Sequence, residues 1–230
     1  MGRYISITEV ATSAKACRLN VIGSCCCLWT VPAGVTTATF EVWGGGGGAG
    51  AKCCCRCEMS SPGYGGGYAL KTITVTAGAQ YTICAGNGGA QLYCAPGGTS
   101  YGCAGGTSYV NGTNLSNLCA VGGGGGCWIG CTTSGCYCMG GTAYGGDVCI
   151  YGGTGSYVAQ WNAYCQMNVA GHAPLGGGLT GKHNDHCCMY GTAGCFGSFP
   201  GGGGAAGTGC ACDCCWCNGG GGSGLVRVHF

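Results

Sequence analysis

Charge is what this chain has least of. Of 230 residues, eight are Lys or Arg and six are Asp or Glu, 6% in all, with a net charge of +2. The six acids (Glu9, Glu41, Glu58, Asp147, Asp185 and Asp213) are scattered, so no pair of carboxylates stands ready for general acid–base work. No basic cluster provides the electrostatic footprint of a nucleic-acid binder. Long apolar runs are missing too. Leu19–Trp29, LNVIGSCCCLW, is broken by Gly23 and Ser24, which suits neither a membrane helix of about 18 residues nor the apolar core of a signal peptide. Met1–Ser6 fits the N-myristoylation pattern, but a pattern that short arises by chance. Gly178–Asn184, GLTGKHN, has the Gly-Lys of a phosphate loop and lacks the Ser or Thr that must follow. No nucleophile elbow is present either. The expectation is a protein that is no enzyme and carries no cofactor.

What is there instead is glycine, 56 residues of it. Each Gly costs roughly 0.5–1 kcal/mol against Ala in a regular element, so something large must offset tens of kcal/mol. Strict Gly-X-Y is absent, which removes collagen. Disordered chains are charged and poor in aromatics, whereas this one is 46% apolar and 10% aromatic. It should fold, as one domain or two small ones.

Cysteine is the second excess, at 26 residues. Such density reads as a disulfide framework in a secreted chain. Several are sequence neighbours (Cys25-Cys26-Cys27, Cys53-Cys54-Cys55, Cys187-Cys188, Cys214-Cys215), and adjacent cysteines rarely bridge each other without strain, so any bridges run to other segments. Free buried thiols are the alternative, since Cys is also a small, easily buried apolar residue. Two stretches have ligand density for zinc: CACDCCWC at Cys210–Cys217, and HNDHCC with His183, Asp185, His186, Cys187 and Cys188. Neither has a paired C-x-x-C frame, and the second reads better as a polar loop tip. No metal is expected.

Short strand-like segments recur, each running into glycine: TATFEVW (Thr37–Trp43), YTICAG (Tyr81–Gly86), NLCAV (Asn117–Val121) and DVCIY (Asp147–Tyr151). The chain closes with GGGGSG feeding a last strand, Leu225–Phe230. Thr37–Val42 and Leu225–Phe230 both abut glycine runs and would leave bare edges alone; they are expected in one sheet. Tyr68–Ile83, with Ala77-Gly78-Ala79 as its turn, reads as a β-hairpin.

Six pieces in order carry a resemblance: WTVPAGVTTATFEVWGGGGGAG (Trp29–Gly50), GGGYALKTITVTAGAQYTICAGNGG (Gly65–Gly89), GGTSYVNGTNLSNLCAVGGGGG (Gly105–Gly126), GGDVCIYGGTG (Gly145–Gly155), PGGGGAAG (Pro200–Gly207) and GGGGSGLVRVHF (Gly219–Phe230). Together they resemble the glycine-rich domain of bacteriophage tail fibres and fibre-tip adhesins, over residues 29–230. The cysteine excess departs from the usual pattern. The resemblance implies a mainly β fold with large irregular content, a small framing sheet, little or no α-helix, and glycine segments bundled as polyglycine II helices.

It also implies a role: a virion structural protein on a tail fibre or another host-facing appendage, contacting the host cell surface. Its partners would be other virion proteins and a host glycan or outer-membrane protein, with a homo-oligomer such as a trimer as an option. Loops on a rigid scaffold are where recognition tends to sit, and aromatics suit such contacts. Tyr101, Tyr137, Trp161, Tyr164 and Trp216 are the candidates for receptor contact; the alternative for each is packing between glycine helices. Residues 1–28 fall outside the resemblance and are expected to attach the domain to another virion protein. A disulfide-cross-linked extracellular matrix or coat protein without a receptor explains the composition equally well but predicts regular repeats. A metal-storage protein is the third reading.

Overall fold

The computed structural model describes residues 5–7, 17–52, 59–90, 99–126, 128–129, 139–158, 167–175, 181–183, 196–205 and 219–230. Two sheets face each other. One is six-stranded, built from β1 (Ile5–Ile7), β3 (Cys25–Thr30), β6 (Gln80–Ala85), β7 (Ser108–Gly112), β8 (Leu115–Ala120) and β9 (Ala143–Tyr144), in that spatial order. The other has the order β10 (Val148–Ile150), β5 (Tyr68–Thr74), β4 (Thr37–Trp43), β11 (Leu225–His229) and β2 (Arg18–Ile22). Pairing is antiparallel apart from β1 on β3. No helix occurs among the described residues. The first and last framing strands do share a sheet: Leu225 lies opposite Trp43, and His229 opposite Thr39.

Strand alternation fills the space between the sheets. Ala38, Phe40 and Val42 point in from β4, and Val226 and Val228 from β11; they meet Cys27 and Trp29 of β3, Tyr81 and Ile83 of β6, and Val110, Leu118 and Ala120 opposite. Trp29 is the hub, with its ring 5.8 Å from Phe40, 5.7 Å from Tyr81 and 5.1 Å from Phe230. Phe40, Val42, Ile83 and Leu118 are fully buried, and a side chain of that size contributes about 1.5–3 kcal/mol by leaving water.

The hairpin expected over Tyr68–Ile83 does not form. Both strands exist and the turn falls at Ala77-Gly78, but β5 pairs with β4 and β10 while β6 pairs with β3 and β7. The cause is the turn's own partners. Val75 N–H donates to Thr36, Gly78 N–H to the Val31 carbonyl, and Val31 N–H back to Ala79, so this connection crosses from one sheet to the other. Gly78, at φ +83°, makes the reversal that a Cβ would strain.

Apart from a three-stranded sheet (Ser156–Val158, Met167–Val169, Gly181–His183) and two short ladders, glycine segments make up most of the other described residues. Along the run after β4, Gly44, Gly47 and Gly50 donate to the carbonyls of Gly67, Tyr64 and Ser61; Gly45 and Gly48 donate to Gly106 and Cys103; Gly46 and Ala49 donate to Gly222 and Gly219. Every third residue thus meets the same neighbour, which is the three-residue turn of a polyglycine II helix, with no bond inside the helix itself. The carbonyls repeat the pattern: Gly45 and Gly48 accept from Gly123 and Gly126, Gly46 from Gly89, and Gly47 from Gly204. Segment 44–50 therefore has six neighbours.

Those six close a ring. Tyr64 donates to Gly124, Gly105 to Gly123, Gly106 to Asn87, Gly221 to Gly89, Gly222 to Gly202, and Gly63 to Gly204. A second ring surrounds segment 61–67, where Gly65 bonds Gly153 and Gly141, Gly63 accepts from Gly171, and Gly66 donates to Gly201. The two hexagons share the segments 121–126 and 201–205. At most inner positions only a residue without Cβ permits this spacing. A Cβ on Gly46 would lie well inside 3.0 Å of the Gly202 carbonyl, and one on Gly123 would do the same to Tyr64. Backbone bonds, each a net ~0.5–1.5 kcal/mol, thus supply what side chains do in the sandwich.

Candidate functional site

Sandwich and bundle are joined by polar contacts. Ser108, fully buried, donates to the Trp43 carbonyl at 2.6 Å and accepts from Gly86 N–H at 2.9 Å. Trp43 Nε1–H reaches the Pro174 carbonyl at 2.8 Å, so the segment ending at Leu175 lies over Trp43, Tyr68 and Leu225. On the same outer sheet face Glu41 gathers three donors: Tyr68 Oη at 3.1 Å, His229 Nε2 at 2.7 Å and Arg227 at 3.5 Å. Arg227 also sits 5.4 Å from the Trp43 ring centroid. Burial, then the Glu41 charge, holds the Tyr68 hydroxyl far above the usual phenol range. Lys71 and the Thr72 N–H lower the Asp147 carboxyl by hydrogen bonding.

At the other end of the bundle short strands pair the segment ends. Outgoing segment 44–50 leads into Ala51–Lys52, which pairs with Thr99–Ser100 at the start of incoming segment 101–106. Met59–Ser60, heading into 61–67, pairs with Trp128–Ile129 at the end of outgoing 121–126. These two strand pairs stand at the far ends of segments that begin or end in the sandwich. Tyr101 stands there with 63% of its surface exposed. Tyr137, Trp161, Tyr164 and Trp216 lie outside the described residues, as do Cys210–Cys217 and 184–188.

Other exposed large side chains were not singled out from the sequence. Met139 begins incoming segment 139–142 with 76% exposure, Tyr151 opens segment 151–155 with 69%, and Phe196 and Phe199 flank Gly197-Ser198. Their signal was position, since each lies at an end of a glycine segment where the ring gives way to solvent.

Among the described residues no group of three His, Cys, Asp or Glu is placed to hold a metal ion. Among the described residues the disulfide Cys26–Cys84 joins β3 to β6 across the sheet, while Cys25, Cys27, Cys103, Cys119 and Cys149 are thiols. The remaining 18 of the 26 cysteines, outside these seven and Cys17, lie outside the described residues. Comparison with curated proteins finds no match. A family model described as a glycine-rich domain matches residues 23–230, nearly the whole chain, and the protein belongs to that family.

Proposed function

We propose that the protein is a structural and receptor-binding component of a bacteriophage virion, carried on a tail fibre or a similar host-facing appendage. The observation that supports this reading is the directional architecture: the doubly ringed bundle is held by the sandwich at one end and has paired segment ends at the other, where Tyr101 is exposed. Such a scaffold fixes loop positions at little entropic cost on binding. Tyr101, Tyr137, Trp161, Tyr164 and Trp216 would contact a host glycan or outer-membrane protein; of residues 1–28, Arg18–Ile22 and the start of β3 belong to the two sheets, and the chain ahead of them would join the domain to another virion protein. The test is adsorption by particles carrying Trp161→Ala and Tyr164→Ala. Weaker adsorption at unchanged incorporation is expected. Unchanged adsorption across substitutions at all five aromatics, in particles that keep the protein, would remove the receptor role.

A further inference from the structure

The outer face of the six-stranded sheet carries a row of side chains in register. Cys26 of β3 lies opposite Cys84 of β6, Cys84 opposite Tyr109 of β7, Tyr109 opposite Cys119 of β8, and Cys119 opposite Tyr144 of β9. Their sequence neighbours Cys27, Ile83, Val110, Leu118 and Ala143 are buried in the core, so the row faces outward. A second row holds Leu28, Thr82 and Asn111, and a third pairs Thr30 with Gln80. None of these residues is charged. Burial, then the neighbouring Cys149, raises the Cys119 thiol, which keeps that position neutral as well. The opposite sheet is different, since its outer face presents Arg18, Arg227, His229 and Glu41.

Tyr109 and Tyr144 are two strands apart, which at a strand spacing of about 4.8 Å sets them ~9.6 Å from each other along a line across the sheet. Tyr144 is 54% exposed and Leu28 is 36% exposed, with Tyr109 and Cys119 partly open. We propose that this face binds a neutral, ribbon-like polysaccharide laid across the strands. The apolar faces of successive sugar rings would rest on the two tyrosines, and hydroxyls would exchange hydrogen bonds with Thr82, Asn111 and the tyrosine hydroxyls. An uncharged surface gives no attraction to an acidic polymer, a nucleic acid or an anionic membrane. A polyhydroxylated neutral chain is the partner whose polarity matches hydroxyl and amide groups beside aromatic rings. This surface lies on the sandwich, so the proposal stands independently of receptor contact by the distal loops.

The experiment titrates the full-length protein with cellohexaose, a neutral flat hexasaccharide, and with hexagalacturonate, an acidic one, by calorimetry. Saturable binding of cellohexaose is expected, with hexagalacturonate weaker. Tyr144→Ala and Tyr109→Ala should each lower cellohexaose affinity about tenfold, while Arg18→Ala, on the outer face of the other sheet, leaves it unchanged. Because Tyr144 is exposed, its variant should keep the parent thermal midpoint. No saturable cellohexaose binding, or binding indifferent to both tyrosines, would overturn the proposal. So would sedimentation showing that this face is closed by a second copy, with a dimer that Tyr144→Ala dissociates.

Discussion

Ser108 Oγ donates a 2.6 Å hydrogen bond to the carbonyl of Trp43, 65 positions earlier, at the place where strands give way to glycine helices. The same oxygen accepts the N–H of Gly86, where β6 hands over to its own glycine segment. One buried hydroxyl therefore terminates two strands. Ser108→Ala leaves a buried carbonyl and a buried N–H without this partner, and each group so stranded costs about 1–3 kcal/mol. Urea denaturation should show a loss in that range per group, with the denaturant slope unchanged.

Glycines in the rings and glycines in turns should respond differently to a side chain. Gly123→Val drives a branched side chain into the Tyr64 carbonyl inside a ring of backbones, and should prevent folding, as judged by soluble yield and by loss of the cooperative transition. Gly34, at φ +85°, has nothing within 4 Å of where its Cβ would stand. Gly34→Ala should cost only the left-handed backbone, about 1–2 kcal/mol, and remain folded.

How much of this was legible in the sequence depends on the kind of order. The strands were visible because Phe40, Val42 and Ala38 alternate with Thr39 and Glu41, and side-chain period fixes which face is buried. That Thr37–Val42 and Leu225–Phe230 share a sheet followed from their bare edges. Partner choice for Tyr68–Thr74 was not legible, because two adjacent strands with a Gly turn look alike whether the turn closes a hairpin or crosses between sheets. The hexagons were still less so. A run such as Gly44–Gly48 has no side chains to encode a register, and its neighbours are chosen by carbonyls and N–H groups common to every residue. Of the five aromatics expected at the receptor end, the described residues include Tyr101 alone.

Stability should decline in alkaline solution in two stages. Burial, then nearby Cys25, raises the Cys27 thiol. A group whose folded pKa is raised contributes stability that is complete below its unfolded value and is lost as pH rises through the folded one. The first fall should therefore begin above about pH 8.5, the ordinary thiol range. Tyr68, raised by burial and then by Glu41, and Tyr81, raised by burial, add a second fall above about pH 10. Denaturation midpoints from pH 7 to 11 read both stages, and Cys27→Ala should shrink the first and leave the second.

The Cys26–Cys84 bridge closes a span of 58 residues between β3 and β6. Loop entropy assigns a closure of that length about 4 kcal/mol. Cys84→Ser should lose up to that amount, and a non-reducing digest should yield the two linked peptides. The thiol count of the denatured chain should fall below the 26 cysteines of the sequence. A full count of free thiols would show that the sheets hold without the bridge.

The central claim is that glycine is the structural material of this molecule. Amide hydrogen exchange, followed on protein carrying isotope-labelled glycine, tests it most directly. Gly44–Gly48 and Gly65–Gly67 donate to carbonyls inside closed rings, so their amides should exchange only through global unfolding, as slowly as those of Phe40 and Val228 in the sandwich core. Exchange of these glycines at the rate of the open turn at Gly34 would contradict the account.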